Sequence, residues 1–265
     1  MPDTLSGIPA LKSRAELPGM SLLEHLEELR KRVLYALGWM ALGSVICLNY
    51  AHEIYDLVQK PVTDALKAND MPAKLVYLNP TDPFELFIKT GIVAGIFLAS
   101  PFVLYQVWAF ISPGLYRNEK KYVLPFLFST VALFLAGGYF GYHMVFPKAL
   151  TFLIEQGKQF QPMITVSEYT DLFLAVILGL GVVFEMPILF FFLGLFGLID
   201  ARFLWRNARY AILIIFFLAA VLTPTTDILN MCVFAAPMVI LFFASIGIVW
   251  FVHPKRRKAK AEGNA

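Results

Sequence analysis

The sequence has few charged side chains. Only 15% of its 265 residues are Asp, Glu, Lys or Arg, against about 25% in soluble domains. Hydrophobic residues make up 58%, so the chain has too little polar surface to cover itself in water. This composition excludes an ordinary soluble protein, and the formal net charge of +3 is too small to indicate a nucleic-acid partner.

Cysteine is almost absent, and motifs for catalysis are missing. Cys47 and Cys232 both lie inside apolar stretches and are interpreted as small buried side chains. Without a Cys/His cluster, neither a metal site nor a disulfide framework is expected. There is no phosphate-binding loop, no His-Glu-x-x-His zinc motif and no Gly-x-Ser-x-Gly turn. The sequence therefore predicts a protein that is not an enzyme and has no cofactor.

Long apolar stretches are abundant instead, and in lipid such stretches must be helical because each backbone group needs a partner within its own segment. A spanning helix requires about 20 mostly apolar residues. We predict an all-α polytopic membrane protein with six transmembrane helices and a short fifth span. The stretches are Val33–Tyr50, Phe84–Ile111, Tyr122–Phe146, Leu172–Leu198, Tyr210–Leu222 and Ile228–Val252.

The distribution of Lys and Arg predicts the orientation of the chain. Sixteen of the 22 basic residues fall in the two termini and in the connections after the second and fourth spans. Because basic residues favour the cytoplasmic side, both termini are predicted to be cytoplasmic. Aromatic residues at the same ends of the spans are typical of a membrane-interface belt; they are Trp108, Tyr116, Tyr122, Trp205, Tyr210 and Trp250.

The chain divides into a core and two tails. Residues 1–20 and 253–265 are predicted to be cytoplasmic tails, the first flexible and the second basic, around a six-helix domain at 21–252. On the outer side, Ala51–Pro83 is predicted to be a long loop that packs as a cap, and Pro147–Thr170 a second loop.

Three acidic residues are candidates for function. Glu28 lies on an amphipathic segment that begins at Ser21, and its spacing from Arg32 equally fits a simple helix-supporting ion pair. Glu119 lies among basic residues in the first cytoplasmic loop and could be a solvated loop charge. Glu185 lies near the middle of span four, beside the helix-kinking Pro187, where ionisable groups are costly and usually functional.

Four segments, in order and on the expected sides of six spans, make the chain resemble the TatC family, the receptor subunits of the twin-arginine translocase. The resemblance extends from about Ser21 to Val252. The segments are His25-Leu-Glu-Glu-Leu-Arg30, Ser100-Pro-Phe-Val-Leu-Tyr-Gln-Val-Trp-Ala-Phe-Ile-Ser-Pro-Gly-Leu-Tyr-Arg-Asn-Glu-Lys120, Phe184-Glu-Met-Pro187 and Leu222-Thr-Pro-Thr-Thr-Asp227.

The resemblance implies roles for particular residues. Glu28 and Glu119 correspond to an acidic pair that recognises twin-arginine signal peptides, with Arg30 and Phe110 at further recognition positions. Glu185 corresponds to the family's intramembrane acid. Pro61 and Asp227 correspond to outer-loop positions.

The resemblance also implies partners and a location. Family members export folded proteins with single-span subunits, TatB and TatA, using the proton-motive force. The implied setting is a homo-oligomer within a complex in the lipid of the bacterial inner membrane. From the short fifth span and its polar turn, we expect partner docking at Leu222, Thr225 and Met231.

The sequence departs from the family at two positions. A Gln frequent in the family is replaced by Met231, and a Glu frequent in span six by Phe243. Two other functions were weighed. A proton-coupled transporter that uses Glu185 would not explain acids at the cytoplasmic face, and it is usually accompanied by inverted repeats, which are not found. An intramembrane protease would need a catalytic pair, which is also not found.

The predicted topology can be tested by cysteine labelling. Single cysteines at Asp70 and Gln156 should react with a membrane-impermeant reagent added from outside. Cysteines at Asn118 and Asn207 should react only after the inner face is exposed. Labelling of Asn118 from outside would overturn the predicted topology.

Overall fold

The computed structural model describes residues 22–72, 74–111, 123–157, 159–160, 163–223 and 228–252, and within these ranges the chain is almost entirely helical. The tails predicted at 1–20 and 253–265 lie outside them. The helices are α1 (Leu22–Leu48), α2 (Ala51–Ala68), α3 (Asp82–Ile111), α4 (Val123–Phe140), α5 (Phe146–Gln156), α6 (Val166–Val183), α7 (Met186–Leu195), α8 (Ala201–Arg206), α9 (Ala208–Leu222) and α10 (Ile228–Val252), with a π-helical segment at Gly141–Val145.

Five helical segments in the described ranges are long and apolar enough to cross a membrane. They are α1, α3, α4 continued through the π-helical segment into α5, α6 continued into α7, and α10. The sixth predicted span is α9, whose 15 residues extend about 22 Å, less than the hydrocarbon thickness of about 30 Å. The prediction of an all-α, six-span protein with a short fifth span is confirmed.

Helix α1 packs mainly along α3, and the two run antiparallel. The helices approach each other closely at Gly43 and Gly95. A Cβ atom on Gly95 would lie 2.4 Å from the Cα of Ser44, and one on Gly43 would lie 2.6 Å from the carbonyl oxygen of Gly95. Small residues at such a crossing let two membrane helices approach closely without a side chain between them.

The segment predicted as a long outer loop contains α2, so the prediction of a loop is wrong for Ala51–Ala68. Val58, Val62 and Leu66 recur every four residues, which is helical spacing. All three are buried in the main hydrophobic core. The expectation that this segment packs as a cap is confirmed. The sequence did not predict its helix, because a proline such as Pro61 ordinarily ends or kinks a helix.

Pro61 is buried inside α2. Because proline has no backbone N–H, the carbonyl four residues earlier loses its helical partner, and that carbonyl belongs to Leu57. The hydroxyl of Tyr142 donates a hydrogen bond to it at 3.0 Å. Tyr169 donates similarly to the carbonyl of Val58 at 2.6 Å. The two tyrosines therefore fasten α2 to the spans beneath it.

The second predicted outer loop, Pro147–Thr170, is also partly helical. The third span continues without interruption to Gln156, so the predicted end at Phe146 is wrong. Pro147, which lacks a backbone N–H, lies directly after the π-helical segment, where the hydrogen-bond pattern of the helix changes. The fourth span likewise begins at Val166, where the Thr165 hydroxyl accepts a hydrogen bond from the backbone N–H of Glu168.

Two side chains are not placed as predicted. Trp108 does not belong to an interface belt, because it is buried against Phe126 and Phe192 and donates from Nε1 to the Thr130 hydroxyl at 3.1 Å. Cys47 is buried as expected, but Cys232 is exposed. Apolar composition cannot distinguish a lipid-facing side chain from a buried one.

The close approach of α1 and α3 predicts that Gly95→Ala destabilises the protein. The added methyl group must displace backbone of α1, at a cost of about 1–3 kcal/mol. Gly38→Ala is the matched control, because a Cβ there meets nothing within 4 Å. Thermal unfolding in detergent should show a lower Tm for Gly95→Ala alone, and equal Tm values for both variants would contradict this packing.

Candidate functional site

Glu28 is a half-buried acid on α1, and its two carboxylate oxygens differ. Oε1 lies 3.3 Å from a guanidinium nitrogen of Arg32, one turn along the helix. Oε2 is buried and has no hydrogen-bond partner among the described residues. A buried unsatisfied acceptor costs about 1–3 kcal/mol, so this oxygen would gain from an incoming hydrogen-bond donor.

Arg32 connects this carboxylate to α3. Its second terminal nitrogen donates to the side-chain oxygen of Gln106 at 3.3 Å. Its Nε is buried without a partner in the part of the chain that the structure describes. Glu28, Arg32 and Gln106 therefore form a polar cluster across the α1–α3 pair, and we call it the α1–α3 cluster.

An aromatic contact lies next to the cluster. His25 stacks on Phe110, with 4.4 Å between ring centroids and 16° between the planes. His25 precedes Glu28 by nearly one turn, and Phe110 follows Gln106 by one turn. The structure thus brings Glu28 and Phe110 to the same end of the α1–α3 pair. Arg30 is exposed, and from its position two residues after Glu28 it points to a different side of α1.

Several predicted site residues lie outside the described residues, namely Glu119, Thr225 and Asp227. Sequence reasoning missed Gln106 and treated Arg32 only as a partner that supports the helix. A lone amide within the apolar third helix was the available signal, since an uncompensated polar group is costly in lipid.

Glu185 lies where the fourth span is interrupted. Helix α6 ends at Val183, α7 begins at Met186, and the backbone N–H of Glu185 donates to Val182 in a tighter turn, at 3.1 Å. The predicted disruption of the helix beside Pro187 is therefore present. The side chain is half-buried, and its Oε1 is buried with no partner in the described ranges.

Two of the predicted docking residues are described, and both are half-buried. Leu222 packs against Gly179 of α6, where a Cβ would lie 2.8 Å from its Cδ2. Met231 lies in the first turn of α10 and packs against the main core. The same two helices, α9 and α10, carry large exposed apolar side chains, namely Ile214, Phe217, Leu218, Val221, Ile228 and Leu229.

Phe243, at a position where the family often has Glu, contacts aromatic rings. Its ring lies 5.9 Å from that of Trp205 on α8 and 5.6 Å from that of Phe242. A carboxylate here would be set against apolar rings. Within the described ranges, no group of three or more His, Cys, Asp or Glu side chains is placed to hold a metal ion.

Comparison with known proteins identifies the family. Residues 24–237 match the model of the Sec-independent protein translocase protein family, TatC. The chain is 60% identical to the Sec-independent protein translocase protein TatC of Koribacter versatilis, over 96% of this chain and 95% of that protein. It is 39% identical to the TatC of Carboxydothermus hydrogenoformans, over 89% and 95%.

A solved structure agrees with the sequence comparisons. The chain superposes on the crystal structure of the twin-arginine translocase receptor TatC with a TM-score of 0.78 and 32% identity, covering 86% of this chain and 99% of that one. The multi-pass helical fold is thus shared over nearly the whole of the solved protein. The chain belongs to the TatC family of Sec-independent protein translocase proteins.

Proposed function

We propose that the chain is the signal-recognising receptor and core subunit of a twin-arginine protein export system. It would bind twin-arginine signal peptides at the cytoplasmic face of the bacterial inner membrane, with both of its termini on that side. The observation that carries this proposal is the buried, unpartnered Oε2 of Glu28, held at the end of the α1–α3 pair beside the stacked rings of His25 and Phe110.

Arginine suits this carboxylate. Its planar guanidinium group presents a fork of donors that carboxylates accept in pairs. Because Arg32 already occupies Oε1 of Glu28, a signal arginine would approach Oε2. Arg32 and Gln106 then hold the carboxylate in place rather than recognise the signal themselves. In this proposal Glu119, on the following loop, receives the second arginine, and Arg30 and Phe110 belong to the same recognition surface.

The binding free energy of two arginine–carboxylate pairs is too small to account for micromolar affinity for a signal peptide. Two charge-assisted pairs supply about 3–6 kcal/mol, whereas micromolar affinity requires about 8 kcal/mol. The remainder would come from the apolar segment of the signal lying against the membrane-facing surface of the receptor. Exposed leucines and valines along α1 and α3 offer such a surface.

The same proposal includes partner subunits. TatB-like and TatA-like single-span helices would dock at the end of α9 and the start of α10, where the short fifth span leaves a polar turn. Interhelical hydrogen bonds in membranes average about 0.6 kcal/mol, so docking would need several polar groups together with the exposed apolar side chains around Leu222 and Met231. Transport would use the proton-motive force, in a complex with more than one copy of this chain.

The first prediction concerns recognition. Glu28→Gln and Glu119→Gln should each weaken binding of a twin-arginine peptide by about tenfold or more, because each loses a charge-assisted pair. Glu27→Gln is the matched control, since Glu27 is the neighbouring exposed acid on the same helix. Affinity can be measured with a labelled peptide on the purified protein, with a twin-lysine peptide as the specificity control.

Folding must be checked in parallel, because Glu28 also pairs with Arg32. Each variant should retain a Tm close to that of the unmodified chain. If the Glu28/Glu119 double variant binds the peptide like Glu27→Gln, the acidic pair is not the recognition site.

The second prediction concerns partner docking. Single cysteines at Leu222, Thr225 and Met231 should form cross-links to a cysteine in a single-span partner, in membranes that contain both proteins. A cysteine at Val131, half-buried on α4, is the control and should remain unlinked. Absence of cross-links at all three docking positions would place the partner elsewhere.

The third prediction concerns Glu185, whose partly buried carboxyl group is proposed to face a concave pocket and hold a polar group of an inserted helix. Glu185→Gln preserves shape and hydrogen bonding and should retain much of the transport of a twin-arginine substrate. Glu185→Leu preserves neither and should lose it. Equal loss in both variants would indicate an obligatory proton carrier, and full transport by Glu185→Leu would contradict both roles.

A further inference from the structure

An apolar cavity of about 400 Å³ lies in the predicted outer half of the bundle. It is bounded by α2, α3, α4 and α6, and side chains that line it include Ile54, Ala94, Leu135, Phe173 and Ile177. The volume is within the range of about 300–1,000 Å³ that is typical of small-molecule sites. One of its few polar groups is the hydroxyl of Thr90, which is buried and unpartnered among the described residues.

Large exposed apolar and aromatic side chains border the cavity. Three of its lining residues, Leu57, Leu135 and Tyr139, are large apolar or aromatic side chains exposed by 56%, 44% and 66%. Leu135 and Tyr139 belong to the third transmembrane span, where an exposed side chain faces hydrocarbon or its boundary. The mouth is therefore accessible from within the membrane.

A second cavity, of about 380 Å³, adjoins the first. The two share Tyr142 and His143 as lining residues. The second cavity has a more polar lining than the first, and this lining includes Lys60, Asp64 and Thr151. The first cavity, which we call the slot, thus continues beneath α2 into the second, more polar cavity, which we call the notch.

The charges in the notch are balanced. Lys60 and Asp64 are one helical turn apart and exposed. Within the described residues neither belongs to an ion pair. The notch therefore presents one cation and one anion, both free to meet a ligand that carries the opposite pair of charges.

The wall between the two cavities is formed by a π-helical segment. Tyr142 and His143 lie on the π-helical segment, a form of helix that occurs frequently at functional sites. The Tyr142 hydroxyl is committed to the Leu57 carbonyl that Pro61 leaves free. The ring of His143 packs at 4.1 Å from that of Tyr139. These contacts fix the opening between slot and notch.

We propose that the two cavities together bind one zwitterionic glycerophospholipid. One of its two acyl chains fills the apolar slot, its phosphate meets Lys60, and its primary ammonium group meets Asp64. A protein helix is the less suitable occupant, because a cylinder about 10–12 Å wide with its side chains would leave the charged notch unused. The bound lipid would support α2 over the spans, independently of signal recognition at the opposite face.

Native mass spectrometry of the full-length chain can test this proposal. The protein is mixed in detergent with equal amounts of phosphatidylethanolamine and phosphatidylglycerol. We expect one tightly held phosphatidylethanolamine per chain. Ala94→Phe fills the slot and should abolish this stoichiometric binding. Ala132→Phe is the matched control, because Ala132 is exposed on α4 and lines neither cavity.

The charges are tested separately. Lys60→Gln should weaken binding about two- to fivefold, as expected for an exposed ion pair, whereas Lys67→Gln, at an exposed position on the same helix, should have no effect. Asp64→Asn should reduce the preference for phosphatidylethanolamine over phosphatidylglycerol. Unchanged binding in both notch variants would overturn the assignment of the headgroup.

A photoreactive acyl chain gives a test on the unmodified protein, in case Ala94→Phe does not fold. Adducts should map to slot residues such as Leu135 and Ile177. Adducts spread over the whole membrane-facing surface would indicate annular lipid only and overturn the proposal. Retention of phosphatidylethanolamine by the folded Ala94→Phe variant would also overturn the proposal. Recovery of a bound peptide in place of lipid would overturn it as well.

Discussion

The need to satisfy backbone hydrogen bonds wherever a helix is interrupted governs this structure. An N–H or C=O group without a partner is costly in a protein interior and more so in hydrocarbon, so breaks in the cap helix and in the spans are both compensated nearby. The carbonyl of Leu57, freed by Pro61, is taken by the hydroxyl of Tyr142. At Glu185 the chain uses a tighter turn between α6 and α7. Both irregular points coincide with residues that the family resemblance marks as functional.

The antiparallel pairing of α1 and α3 connects packing with the position of the Glu28 carboxylate. Glycines in the middle of the pair bring the two backbones together. Closer to the start of α1, the same antiparallel alignment of the two helices places Arg32 against Gln106 and His25 against Phe110. The position of the Glu28 carboxylate is therefore set by a helix crossing about 15 residues, or roughly 22 Å, away. A change at that crossing would also move the α1–α3 cluster.

Several buried polar side chains have no hydrogen-bond partner among the described residues. Glu28 and Glu185 each have one buried oxygen without a partner in the described ranges, and Thr90 has a buried hydroxyl. Native proteins rarely leave buried polar groups unpaired. The three groups lie far apart in the chain, near the start of α1, at the break in span four, and in the cavity beneath α2. Each would gain from a hydrogen bond to an added group.

The sequence alone determined the six spans, because length and hydropathy decide which segments enter lipid, and its motifs identified the family. It also singled out Glu185, since an acid in the middle of a span is costly, and the family resemblance singled out Glu28. It did not predict helix α2, because a proline such as Pro61 ordinarily ends or kinks a helix. It also did not predict that Trp108 is buried or that Gln106 connects α3 to Arg32. Only the tertiary structure decided these three features. The burial of a side chain and its hydrogen-bond partner depend on which helix packs against it, and an apolar sequence does not specify that helix.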